Sequence, residues 1–244
     1  MLDKEGIEKY VMLYEQILHD RQIIVTHEDL HNIYQLILLT FDLDDLYDSI
    51  TCYPDLIKIE KIKQAMISLM PNCHSIALNS IDLVFEAMEQ EAHTDLSESL
   101  HRYLSVCGKS IGAQLITGYL ASRNQLELNI WLSDIIVRFN DDINDLIRLA
   151  NDYLDTTVDV NRRSKEVPQL KAMKFFHSKF EFKAYLSARY VLHKIRYYLY
   201  SIYFKYLNRS PDQEDYSSAI NWIESVLDFA VKAYIDDKKS FREP

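Results

Sequence analysis

Glycine and proline are scarce in this chain of 244 residues, which has four of the first and five of the second. A β-fold of this length needs many tight turns, and such turns draw on those two residues, so the scarcity argues against one. Cysteine is scarce too. Cys52, Cys73 and Cys107 are odd in number and widely spaced, with no zinc or redox motif among them, so reduced thiols in a cytoplasmic compartment are expected. No apolar run reaches the roughly 18 residues that a membrane span takes. The amino terminus lacks a basic leader followed by an apolar stretch, so no signal peptide is indicated. Positive charge is the last deficit: 27 Lys and Arg stand against 37 Asp and Glu, a net charge of −10. A nucleic-acid partner requires a basic face, and this balance argues against one.

Apolar residues are plentiful, at 48% of the chain, enough for one large core. Their periodicity predicts helices over 3–20, 27–48, 55–69, 75–93, 96–121, 124–160, 169–207 and 213–237. Pro54, Pro71, Pro168 and Pro211 each fall at a predicted break, where a missing N–H costs little. The longest polar passage, 160–168, reads as a loop. No repeat or linker divides the chain, so residues 1–244 are expected to form a single all-α domain, a helical bundle.

Two acidic clusters end apolar helical runs. In Phe41-Asp42-Leu43-Asp44-Asp45-Leu46-Tyr47-Asp48, Asp44 and Asp48 are four apart and share a helix face. Like charges at that spacing weaken a helix, and a hard divalent cation is one reason to keep them; a solvated helix end is the plainer one. In Asn151-Asp152-Tyr153-Leu154-Asp155-Thr156-Thr157-Val158-Asp159, the spacing of Asn151, Asp155 and Asp159 puts three oxygen donors on one stripe. Two such stripes facing each other across a bundle could hold magnesium ions around a diphosphate.

This pair of clusters resembles the metal-binding signature of class I terpene synthases. Phe41-x-x-Asp44-Asp45-x-x-Asp48 matches the family's aspartate-rich motif in full. In the second motif, usually Asn-Asp-x-x-Ser/Thr-x-x-x-Glu, Asn151 and Asp152 match, while Asp155 and Asp159 replace the hydroxyl and the glutamate with other oxygen donors. The motifs are 107 residues apart, which suits a compact member. The resemblance implies a bundle around a central apolar cavity. It also implies a three-ion magnesium cluster on Asp44, Asp48, Asn151, Asp155 and Asp159, with Asp45 orienting the ligands. The implied activity is that of a lyase, a cyclase that ionises a linear prenyl diphosphate of 15 or 20 carbons and closes the allylic cation into a terpene. A homodimer is compatible with it.

The family's diphosphate-sensing arginine has no counterpart in Leu104-Ser105-Val106-Cys107-Gly108-Lys109. Lys109 or Arg102 is the available substitute there, and Arg162 and Arg163 follow the second motif closely enough to reach a diphosphate as a loop closes. The family's carboxyl-terminal Arg-Tyr pair is also missing. Gly108, Gly112 and Gly118 fall within eleven residues of one predicted helix. They imply either close helix packing or the helix break with which the family lines its cavity. Tyrosines crowd 190–206 on every side of a helix, a pattern of core packing more than of a cavity wall. Asn140-Asp141-Asp142 lacks following donors at metal spacing and reads as a decoy; His177 and His193 read as structural.

Two alternatives stand beside the cyclase. Asn151-Asp152-Tyr153-Leu154-Asp155 is similar to the second motif of chain-elongating prenyltransferases, but the arginine pair those enzymes carry after the first aspartates is absent, which favours a site for one diphosphate. A non-catalytic helical interaction protein with coincidental acidic helix ends is the reading from another class.

Overall fold

The computed structural model describes residues 4–48, 55–71, 75–158, 172–207 and 212–240. Among these the chain is all-α, without a strand. Ten α-helices follow in order: α1 Lys4–Asp20, α2 His27–Asp48, α3 Leu56–Leu69, α4 Ser75–His93, α5 Leu100–Ser110, α6 Ala113–Arg123, α7 Leu128–Trp131, α8 Asp134–Val158, α9 Lys179–Ile202 and α10 Gln213–Ser240. No helix among the described residues is long and apolar enough to cross a membrane.

Local chemistry sets several boundaries. Ahead of α2, the Thr26 hydroxyl accepts from the Asp29 amide at 3.1 Å while Asp29 accepts from the Thr26 amide at 2.7 Å, a reciprocal cap. Ser99 and Ser178 cap α5 and α9 by accepting from Arg102 and Glu181 amides. Two predicted helices are divided, and a third, expected over 169–207, is an α-helix only over α9 among the described residues, with a 3-10 turn at Met173–Phe175 before it and a π-helical turn at Tyr203–Leu207 after it. The run 124–160 is interrupted between α7 and α8 at Leu132–Ser133, and 96–121 is interrupted at Ile111–Gly112.

The second break places the centre of the fold. Every residue of α6 from Ala113 to Ser122 is buried, and a helix apolar all round belongs in a core. α4 packs against both α5 and α6; α8 packs against α5, α9 and α10; α1 and α2 close the remaining side. Asp29 ties the start of α2 to α6, accepting from the Tyr119 hydroxyl at 2.9 Å and from Arg123 at 2.8 Å. The glycines divide between the two readings. A Cβ on Gly118 would stand 2.1 Å from the Ser80 hydroxyl of α4, and one on Gly108 would stand 2.8 Å from Asp145 of α8, so both mark close helix contacts. Gly112 marks the break itself, with φ of +76° in the left-handed region.

A charged layer joins α8, α9, α10 and the end of α1. Buried His193 lies between Asp142 (Nδ1, 2.9 Å) and Glu224 (Nε2, 2.7 Å). Lys194 meets Glu224 and Asp228, and Arg21 meets Asp228 at 2.6 Å. Asp142 also takes Arg189 at 3.0 Å and Arg196 at 2.7 Å. The Asn140–Asp142 stretch is thus engaged within the bundle, with the Thr117 hydroxyl against Asn140 as well.

Candidate active site

An apolar-walled cavity of about 450 Å³ opens between α1, α2, α8, α10 and the α5–α6 break. α2 contributes Ile33, Ile37, Phe41 and Asp44, spaced four, four and three, so that one helix face runs from apolar lining to a carboxylate. α8 contributes Ile147, Arg148 and Asn151, and the break contributes Ser110, Ile111 and Gly112. Asp44 is exposed and Asn151 half-buried, whereas Leu30, Ile33 and Val226 are buried, so these two polar groups are closer to water than the apolar wall is. The two acidic clusters therefore reach one cavity, through Asp44 and Asn151, from helices far apart in sequence.

A carboxylate and an amide oxygen from facing helices are the hard donors that magnesium takes, and this part of the donor set fits the ion. Among the described residues, no three His, Cys, Asp or Glu side chains form a metal-binding group on their own. The side chains of Asp48 and Asp155 lie outside the described residues, as do Asp159, Arg162 and Arg163 entirely. Asp45 is exposed and is not part of the cavity lining.

The cations of α5 point elsewhere. Lys109 lies 3.9 Å from Asp141 of α8, and Arg102 lies 3.6 Å from Glu98 in the preceding turn; neither lines the cavity. Among the described residues, the arginine that lines it is Arg148, one turn before Asn151. Its Nε sits 3.1 Å from Asp152 and donates to the Tyr103 hydroxyl at 2.9 Å, while Nη2 meets Glu91 at 3.2 Å. The other Glu91 oxygen accepts from Ser110 at the helix break. Burial works against the guanidinium, but Asp152 and Glu91 outweigh it and raise its pKa, fixing the charge. Asp152, the second residue of the second motif, is buried in this network and also accepts from the Ala172 amide at 3.2 Å. The i, i+3 spacing of Arg148 and Asn151 was the available sequence signal for the cation.

Aromatic lining comes from Tyr10, Tyr14, Tyr34, Phe41 and Phe229 on α1, α2 and α10, and not from the tyrosine-rich α9. The Tyr14 hydroxyl is taken up by Ser225 at 3.1 Å, and burial raises the phenol well above its usual pKa, keeping it neutral. On α8, burial pushes Asp145 up to about 6 despite Arg189 at 3.1 Å. Burial works to raise Asp142 also, but His193, Arg196 and Arg189 hold it below the usual carboxylate range. No family model, curated protein or solved structure matches this chain.

Proposed function

We propose that this chain is a magnesium-dependent terpene cyclase of the class I type, acting on a linear prenyl diphosphate of 15 or 20 carbons. The observation that supports the reading is that Asp44 and Asn151, one from each acidic cluster, line the same apolar-walled cavity. Asp44 and Asn151, with Asp48, Asp155 and Asp159 as the remaining donors, would hold the magnesium, which when bound would supply Lewis-acid charge neutralisation to a diphosphate leaving group.

The chain's own residues supply the rest. Arg148 lines the cavity one turn before Asn151 and fixes that wall, its guanidinium being shared with Asp152 and Glu91, so offsetting the charge of the departing diphosphate would fall to the magnesium. Tyr34, Phe41 and Phe229 offer ring faces, which stabilise a carbocation without trapping it as a nucleophile does. Ile33, Ile37 and Val226 keep water from the isoprenoid chain, and at about 450 Å³ the cavity is of a size that encloses a small ligand. The broken helix brings Ser110 and Ile111 to the wall, next to the diphosphate end.

The test is incubation of the purified protein with prenyl diphosphates of ten, fifteen and twenty carbons and magnesium, followed by gas chromatography and mass spectrometry of the hydrocarbon extract. Cyclic products that disappear on chelation and in Asp44→Ala are expected. A longer linear diphosphate formed when isopentenyl diphosphate is added would replace the cyclase with a chain-elongating enzyme. Intact protein that converts none of these substrates would overturn both.

A further inference from the structure

Helix α9 is apolar on two opposite faces. One face turns His193, Tyr197 and Tyr200 inward, against Phe139 of α8. On the opposite face Val191, Ile195, Tyr198 and Ile202 are exposed by 56%, 50%, 63% and 51%, and Tyr206, in the π-helical turn Tyr203–Leu207 that follows α9, is exposed by 67%. A contiguous apolar stripe left in water marks an interaction surface, and this one runs along the outer side of α9. Toward its start the outer stripe continues through Ala188 and Ala184, both exposed. The positions 184, 188, 191, 195, 198 and 202 step by four and three in alternation, the seam of a helix that pairs with another helix.

We propose that this seam is a homodimer interface, in which two copies of α9 pack antiparallel about a two-fold axis level with the midpoint of Val191 and Ile195. Antiparallel pairing about that point sets each residue against the one equally far on the other side. Ala184 then meets the partner's Ile202, and Ala188 meets the partner's Tyr198, small against large, as interdigitating packing requires. Parallel pairing would set alanine against alanine and Tyr198 against its own copy. Charge agrees with the antiparallel arrangement. Lys205 comes level with the partner's Glu181, and the exposed Lys179 and Lys183 come toward the acidic start of α10, where Glu214 and Asp215 are exposed beside the end of α9.

The area is sufficient. Each large apolar residue on the stripe leaves on the order of 100 Å² in water, and together with the flanking Leu192, Leu199 and Tyr203 they offer close to the ~800 Å² per partner of a stable interface. A lipid surface suits this face less well. Anionic membranes hold helices through clustered Lys and Arg. Here Arg189, Lys194 and Arg196 are committed to carboxylates of α8 and α10, and the chain carries a net charge of −10.

Sedimentation equilibrium on the full chain tests the proposal. The wild type is expected to be a dimer at micromolar concentration. Ile195→Glu should weaken it by about 100-fold or more, because an isologous interface carries each substitution twice, with helicity unchanged. Ala184→Cys/Ile202→Cys should form a disulfide-linked dimer on mild oxidation, beyond any background from the native cysteines, while Ala184→Cys alone should not. A monomeric wild type, or linkage through Ala184→Cys alone, overturns the proposal whether or not the glutamate variant folds. A monomeric protein that co-sediments with phosphatidylglycerol vesicles through this face also overturns it, in favour of a lipid surface.

Discussion

Arg148 and Glu91 meet at 3.2 Å across α8 and α4, and Glu91 in turn holds Ser110 at the end of α5. The residue one turn before Asn151 is thereby tied to the break in the helix on the cavity wall. Both side chains are nearly enclosed, so removing one partner leaves an uncompensated buried charge. Arg148→Ala should cost about 3–5 kcal/mol of stability in urea denaturation. Arg148→Lys should fall between it and the wild type, because one ammonium cannot span Asp152, Tyr103 and Glu91 at once. An alanine variant within about 0.5 kcal/mol of the wild type, as for an ordinary surface change, would remove the structural role assigned here.

Gly112 gives a second prediction with two separable parts. An L-residue at φ +76° is strained, by about 1–2 kcal/mol, and its Cβ would also stand 2.7 Å from Cγ2 of Thr40. Gly112→Ala should therefore destabilise by more than the backbone cost alone. In a Thr40→Ser background, which keeps the hydroxyl on the Leu36 carbonyl but deletes the methyl, the cost should fall back toward about 1–2 kcal/mol. Equal penalties in the two backgrounds would mean that the Thr40 methyl is no obstacle.

The helices were legible in the sequence, and the reason is local. Apolar periodicity together with prolines and caps sets the ends of α1 to α4, which lie within a residue or so of expectation. The two interrupted helices were not, since a stretch that is apolar on both sides of a break keeps its periodicity through it. Gly112 was visible as a glycine, but only its left-handed backbone separates it from Gly108 and Gly118, which serve close packing. Asp44 and Asn151 were legible because motif spacing carries them to one face each. Arg148 was not legible as a cavity residue, because its partners, Glu91 on α4 and Asp152 on its own helix, are brought around it by tertiary packing. The outer stripe of α9 was hidden as well: tyrosines on every side of a helix do not say which side meets water.

Stability should depend on pH with a maximum on the acid side of neutrality. Burial lowers His193, but Asp142 and Glu224 raise it further, so its net pKa lies above the ordinary value of 6.5. That contribution is complete below 6.5 and is lost as pH rises through the folded value. Asp145, pushed up to about 6 from 3.8, acts in the same direction, its contribution fading as pH rises between those values. Asp29, Asp142 and Asp228 are lowered and act oppositely, losing their contribution as pH falls through their folded values. The melting temperature should therefore decline from about pH 5 to pH 8. Asp145→Asn should flatten the part of the curve between about pH 4 and 6, leaving the His193 part above it. A melting temperature that climbs across neutrality would contradict the arrangement of charges around His193.

The metal site gives a prediction with a readout apart from turnover. Asp44 is exposed near the end of α2, and an exposed carboxylate contributes little even when paired, so Asp44→Ala should change folding stability by no more than about 1 kcal/mol. Its effect on a bound ion should be large, because a lost ligand is felt at least as strongly as a lost outer-shell partner, about 10–100-fold. Inorganic diphosphate with magnesium at about 100 times the dissociation constant should add roughly 2.7 kcal/mol to the wild type, read as a rise in melting temperature. Asp44→Ala and Asn151→Ala should lose that rise together with turnover, whereas Asp159→Glu should keep both, since a longer carboxylate preserves the donor. Stabilisation by diphosphate without magnesium would assign the anion to Arg148 and the other cations alone. If Asp44→Ala responded to magnesium and diphosphate as the wild type does, the metal role of the first cluster would be wrong, even if the protein still turned over a prenyl diphosphate.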